Sequence, residues 1–141
     1  MGGGPSKDKK FIQKLMQQIN SGVQELNIVN DKWGVPTYTH DFAKNVKLLM
    51  EREFWGLYNM ACTGLTSRVE IAAELLDLMK LSEKIKINEV SSEFFSSEYF
   101  APRPKSERLL NRKLDLRQMN LMRDWKVALR EYIDDYYSEY L

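Results

Sequence analysis

The chain is poor in the residues that most enzyme chemistry uses. Among its 141 residues there is one histidine, His40, and one cysteine, Cys62. Neither stands in a nucleophile or metal-ligand spacing, so no catalytic residue and no metal ligand is assigned. A lone cysteine closes no internal disulfide and builds no cysteine zinc site, and its scarcity fits a reducing cytoplasm. There is no surplus of either charge, with 21 Lys and Arg against 20 Asp and Glu. That removes the electrostatic footing for a nucleic-acid partner. No apolar run approaches the roughly 20 residues of a membrane span. The first ten residues, "MGGGPSKDKK", lack the apolar core of a secretory signal. They are glycine-rich but lack the Gly-Lys-Ser/Thr ending of a phosphate loop, and no GxGxxG occurs elsewhere. No cofactor-binding residue is therefore placed on this chain.

What is present describes one α/β domain over residues 1–141, with 43% hydrophobic and 29% charged residues. Residues 1–6 read as a glycine-rich loop. Phe11, Ile12, Leu15, Met16 and Ile19 repeat at helical spacing over 7–21, with Ser6 as cap and Gly22 as terminator. "ELNIV" (25–29) suits a strand, and Asn30, Asp31 and Gly34 suit the turn after it. A helix capped by Thr39 or Asp41 runs to Glu51, with Phe42, Val46, Leu49 and Met50 expected inward. "WGLYNMA" (55–61) has little polarity and reads as a strand buried on both faces. Ser67 and Glu70 have capping-box spacing, before a helix to about Lys80. Val69, Ile71, Ala72, Leu75, Leu76 and Met79 form its inward set. "KIKINEV" reads as a third short strand. The last helix runs from about Met122 to Tyr137, striped by Trp125, Ala128, Leu129, Tyr132, Ile133 and Tyr136.

Two stretches carry more special residues than connectors need. "WGVPTYTHDFA" (33–43) combines a proline-stiffened turn with Trp33 and Tyr38. A strand exit and a helix cap account for Gly34, Pro36 and Thr39, but not for the two rings. The long loop 91–107 holds Phe94, Phe95, Tyr99 and Phe100, and sets Arg103 between Pro102 and Pro104. A guanidinium on a stiffened backbone is suited to gripping a phosphate while nearby rings stack a base. The same residues also read as an exposed charge beside rings that fill a gap in the core. Residue chemistry alone does not separate the two.

Four blocks, taken together, resemble the dTDP-4-dehydrorhamnose reductase family of extended short-chain dehydrogenases/reductases. They are "VNDKWGVPTYTHDFAKNVKLL", "GLYNMACTGLTSRVEIAAEL", "APRPKSERLLNRKL" and "WKVALREYI", in family order across about residues 11–137. The resemblance is to the C-terminal half of such an enzyme. It implies that the Rossmann half with the NAD(P)H site and the catalytic Tyr-x-x-x-Lys is missing from this chain. No tyrosine here is followed four residues on by lysine. It further implies a nucleotide-sugar site bordered by Gly34, Pro36, Thr37 and Arg103, with Trp33 and Tyr38 as neighbours, and 91–107 as the substrate loop. The serine of the "RP..S" block falls one residue early, at Ser106. This leaves the sugar preference open, along with a related epimerase or dehydratase. The expected partner is a cofactor half or a separate chain, onto whose sheet strand 56–61 would add and against which the tyrosines of the last ten residues would pack. A homo-oligomer is a further way to cover such surface. A non-catalytic regulatory or interaction subunit is the alternative from another class.

Overall fold

A computed structural model describes residues 1–5, 7–8, 10–97 and 104–138. The elements run α1 (Phe11–Asn20), β1 (Glu25–Val29), α2 (Thr39–Glu51), α3 (Arg68–Leu78), β2 (Lys86–Val90), a one-turn 3-10 helix (Ser92–Phe95), α4 (Arg112–Leu116) and α5 (Trp125–Tyr137). This is the mixed α/β fold expected.

β1 and β2 pair in parallel, from Glu25 opposite Lys86 to Val29 opposite Val90. Parallel strands need a long crossover, and α2 and α3 supply it. Leu26 and Ile28 point into the core while Glu25 and Asn27 face out, the alternation that a half-buried strand requires. α1 ends where the sequence places its stop. Gly22 takes φ +82, and the amides of Gly22 and Val23 donate back to Ile19 and Gln18. The Ser6 cap falls outside the described residues. α3 starts on the expected capping box: the Glu70 amide donates to Ser67 Oγ at 3.2 Å and the Ser67 amide to Glu70 Oε2 at 2.6 Å. Ile71, Ala72, Leu75, Leu76 and Met79 are buried as expected, with Val69 half-buried. They meet Leu15 and Met16 of α1 and Trp125, Leu129 and Ile133 of α5 in one core.

Four expectations are corrected. Residues 55–61 form no strand and are not buried on both faces: Trp55 is 72% and Leu57 86% exposed. The segment is extended, with Tyr58 and Met60 against a small second core of Leu49, Leu114 and Met119. Gly56 takes φ +126 and the Lys113 ammonium donates to the Leu57 carbonyl at 3.1 Å, so the chain crosses α4 instead of pairing with β1 or β2.

The second correction is the rotation of α2. Its inward residues are Asp41, Asn45 and Leu49, while Phe42 and Met50 are exposed. The inward row is offset by one residue, about 100°, from the apolar row 42–46–50. Polar partners cause this. Asn45 donates to the Met119 carbonyl at 3.0 Å and accepts from the Leu121 amide at 2.8 Å, and Asp41 binds Arg123. Third, neither Thr39 nor Asp41 caps α2. Tyr38 occupies the cap position, and no side chain bonds there.

The fourth correction concerns the terminal tyrosines. Tyr132 and Tyr137 are buried in this chain's own core, and Tyr136 is packed against it. Tyr132 donates to Asp8 and packs edge-on against the Tyr38 ring, and the Tyr136 ring lies against Gly4, so these side chains pack within this chain and not on a partner. Tyr140 lies outside the described residues.

Candidate functional site

Both strands end at the same edge, and the segments that leave them are tied together there. The Asn30 amide donates to the Val90 carbonyl at 2.9 Å. One residue on, Asp31 accepts from the Ser92 amide at 3.2 Å and the Ser92 hydroxyl at 2.8 Å. The Ser92 hydroxyl bond chiefly holds the Asp31 carboxyl below its ordinary range. In open α/β sheets the ends of strands toward the carboxyl terminus are where ligands gather, because the connecting loops diverge there. The "WGVPT" turn occupies that edge.

Trp33 is held on two sides by its backbone. Its amide donates to the Lys105 carbonyl at 2.8 Å, and its carbonyl accepts from the Glu107 amide at 2.9 Å. On the other side it bridges Ser67, and the Gly34 amide donates to the Thr66 carbonyl at 3.2 Å. The exit of the 91–107 loop is thus stitched to the turn, and the turn to the start of α3. The indole stays 41% exposed, with the Arg108 guanidinium 5.3 Å from its ring centre. Gly34, Pro36 and Thr37 are half-buried along the same ridge. Thr37 Oγ1 accepts from the Cys62 amide at 3.3 Å. Nothing lies within 4 Å of where a Gly34 side chain would begin.

Tyr38 points the other way. It is fully buried, and its hydroxyl donates to Asp135 Oδ2 at 2.9 Å. Burial first, and the Asp135 bond second, push that hydroxyl's pKa well up. Tyr38 therefore supports the ridge from beneath and presents no surface of its own. Arg103 lies outside the described residues. The structure thus brings Trp33, Gly34, Pro36 and Thr37 into one ridge and places residues 104–108 against it. Arg108 was not singled out from the sequence. Its signal was position, two residues beyond Ser106 in the "RP" block.

Beneath the ridge runs a charged brace. Asp41 is 1% exposed and accepts Arg123 Nε on both oxygens, at 2.9 and 3.1 Å. Arg123 Nη2 stands 2.8 Å from Oδ1 without hydrogen-bond geometry. Arg123 Nη1 also pairs with Glu131. These bonds, to Glu131 and then to Asp41, hold the guanidinium still more firmly protonated. Cys62 Sγ lies 4.0 Å from Asp41, and its thiol is pushed up mainly by burial, which makes it inert as a nucleophile.

An α/β domain with its candidate site on the turn and loop that follow two parallel strands is the class that this geometry defines. Residues 5–138 match the family model described as RmlD substrate binding domain, and the chain belongs to that family. The spore coat polysaccharide biosynthesis protein SpsK of Bacillus subtilis is 32% identical over 125 residues, covering 89% of this chain and 42% of that protein. A dTDP-4-dehydrorhamnose reductase from Yersinia enterocolitica superposes with a TM-score of 0.85 at 30% identity, covering 96% of this chain and 46% of the other. The corresponding Clostridium acetobutylicum reductase gives 0.82 at 30% identity, with 91% and 44% covered. A third, from Bacillus anthracis in complex with NADP, shares the fold at 24% identity and a TM-score of 0.77. The chain spans less than half the length of each of these relatives. No helix among the described residues is long and apolar enough to cross a membrane.

Proposed function

We propose that this chain is the nucleotide-sugar-binding part of an NADP-dependent reductase that reduces a 4-keto sugar nucleotide when joined to a cofactor-binding half. The observation that carries this reading is the pairing of Trp33 with Lys105 and Glu107. It sets the "GVPT" turn and the exit of the "RP" loop side by side at the strand ends. Gly34, Pro36 and Thr37 shape the floor of the site, Trp33 offers an exposed ring, and Arg103 engages the phosphates. Tyr38 holds the floor in place. The family supports the substrate class. The NADP in the Bacillus anthracis enzyme supports the cofactor, which the other half would bind. Hydride chemistry then belongs to that half, since no Tyr-x-x-x-Lys occurs here.

The test is dTDP affinity in the chain joined to, or co-expressed with, such a half. Arg103→Ala should weaken dTDP binding about tenfold, the order expected for one charge-assisted contact. Unchanged affinity would remove Arg103 from the site. A second reading, an interaction subunit without catalysis, is favoured by the exposed Trp55 and Leu57. It predicts a stable complex with a partner protein and no dTDP binding by that complex.

A further inference from the structure

Ser106 stands one residue early in the "RP..S" block, and Glu107 takes the place of the family's serine. That shift has a structural consequence. Residues 105–107 run alongside the turn, with Ser106 paired to Trp33 in a parallel bridge. Side chains alternate along an extended segment, so a shift of one residue moves a group to the opposite face. Ser106 and Arg108 therefore share the face of the Trp33 indole, and Lys105 and Glu107 take the other. Ser106 Oγ accepts from the Arg108 amide at 3.4 Å and from Arg108 Nε at 3.2 Å, and the guanidinium lies 5.3 Å from the Trp33 ring centre. We propose that Arg108, held by Ser106 and Trp33, is a phosphate-binding residue: a second guanidinium, besides Arg103, for the diphosphate of a nucleotide sugar. This assignment deepens the nucleotide-sugar reading and rests on it.

The chemistry of the group fits that role. A guanidinium is planar and presents its donors in a fixed fork that matches phosphate oxygens. Ser106 takes the Nε donor, which leaves the two terminal nitrogens for a ligand. The indole holds the plane of the fork by cation–π contact. A side chain ordered in advance loses less freedom when it binds.

The charge is also uncompensated. Among the described residues no carboxylate pairs with Arg108. Glu107, the nearest acid in sequence, lies on the opposite face of the segment by the same alternation. Arg108 and the Trp33 indole are both exposed, so a ligand on the ridge reaches them.

The experiment uses this chain joined to a cofactor-binding half. It compares dTDP, followed by calorimetry, with thymidine, followed by NMR titration, which keeps the base and sugar without the phosphates. Arg108→Ala should weaken dTDP binding about tenfold, the order of one charge-assisted contact, and leave thymidine unchanged. Arg108→Lys should recover only part of the loss, because an ammonium has no planar fork. Ser106→Ala should weaken dTDP binding about threefold, again with thymidine unchanged. Circular dichroism checks that each variant folds; Arg108 is exposed, so its replacement should not disturb the core. Undiminished dTDP affinity in Arg108→Ala would overturn this assignment alone. So would an equal loss for dTDP and thymidine, the result that a merely structural clamp would give. A wild-type assembly that binds no dTDP would overturn both this assignment and the nucleotide-sugar reading.

Discussion

Asp41 sits almost out of contact with water, and a buried carboxylate is tolerated only with a partner. Arg123 is that partner, and it stands 82 residues away in sequence. Removing one member of a buried pair leaves the other uncompensated. Arg123→Ala should therefore cost about 3 kcal/mol, at the low end for buried pairs because the guanidinium is partly exposed. Urea unfolding measures this, and a loss under about 1 kcal/mol would mean that Asp41 finds another donor. The brace also sets a pH dependence. The Arg123 bond lowers the Glu131 carboxyl from its ordinary 4.5, and Ser92 lowers Asp31 from 3.8. Both folded-state values lie below the unfolded ones. Their stabilisation is therefore complete above the unfolded values and is lost as pH falls through the folded ones. The urea midpoint should drop between about pH 5 and about pH 3, and Glu131→Gln should flatten part of that drop. An unchanged profile in that variant would remove Glu131 as a contributor. None of this was legible in the sequence, because a lone Asp on a helix reads as a cap or a solvated charge until its distant arginine is known.

At the scale of elements, local signals were reliable where the cause was local. The Ser67 box and the Gly22 stop were both readable because each motif contains its own partners. Ser67→Ala should cost about 1 kcal/mol and lower Tm by about 3 °C. Gly22→Ala should cost a similar amount, about 1 kcal/mol, through the left-handed backbone alone, since nothing lies within 4 Å of the added carbon. Thermal unfolding of the two variants separates these from wild type. A Gly22→Ala protein as stable as wild type would mean that the turn relaxes to another conformation. Signals failed where the cause was remote. The apolar row of α2 was readable but not its rotation, which Asn45 and Asp41 impose through Met119, Leu121 and Arg123. α4 was missed because its five residues complete little more than one turn. In the candidate site, the turn residues and the loop were both legible, but their pairing through Trp33 was not, because backbone bonds carry no residue signature.

At the scale of the whole molecule, the misread strand and the rotated helix belong to one surface. Phe42 and Met50 are exposed on one row of α2, and Met50 shares a hollow with the exposed Phe54, Trp55 and Leu57. An apolar hollow of about 270 Å³ lies between Val46, Met50, Phe54, Trp55 and Leu57. Residues 55–61 are apolar in composition, yet Trp55 and Leu57 stand exposed while Tyr58 and Met60 pack on the second core. Contiguous apolar surface of this kind marks an interaction face or drives self-association. The relatives are more than twice as long as the stretch they share with this chain, and under the proposed function the cofactor-binding half would cover this face. The isolated chain should therefore bind an apolar-sensitive dye and elute above monomer mass in size exclusion with light scattering. Leu57→Lys should reduce both, with an unchanged circular dichroism spectrum, because a side chain 86% exposed contributes little to the fold. Association that persists undiminished in Leu57→Lys would place the sticky surface elsewhere. A wild-type chain that stays monomeric and dye-free would mean that the hollow closes on itself, and the case for a docking half at this face would fail with it.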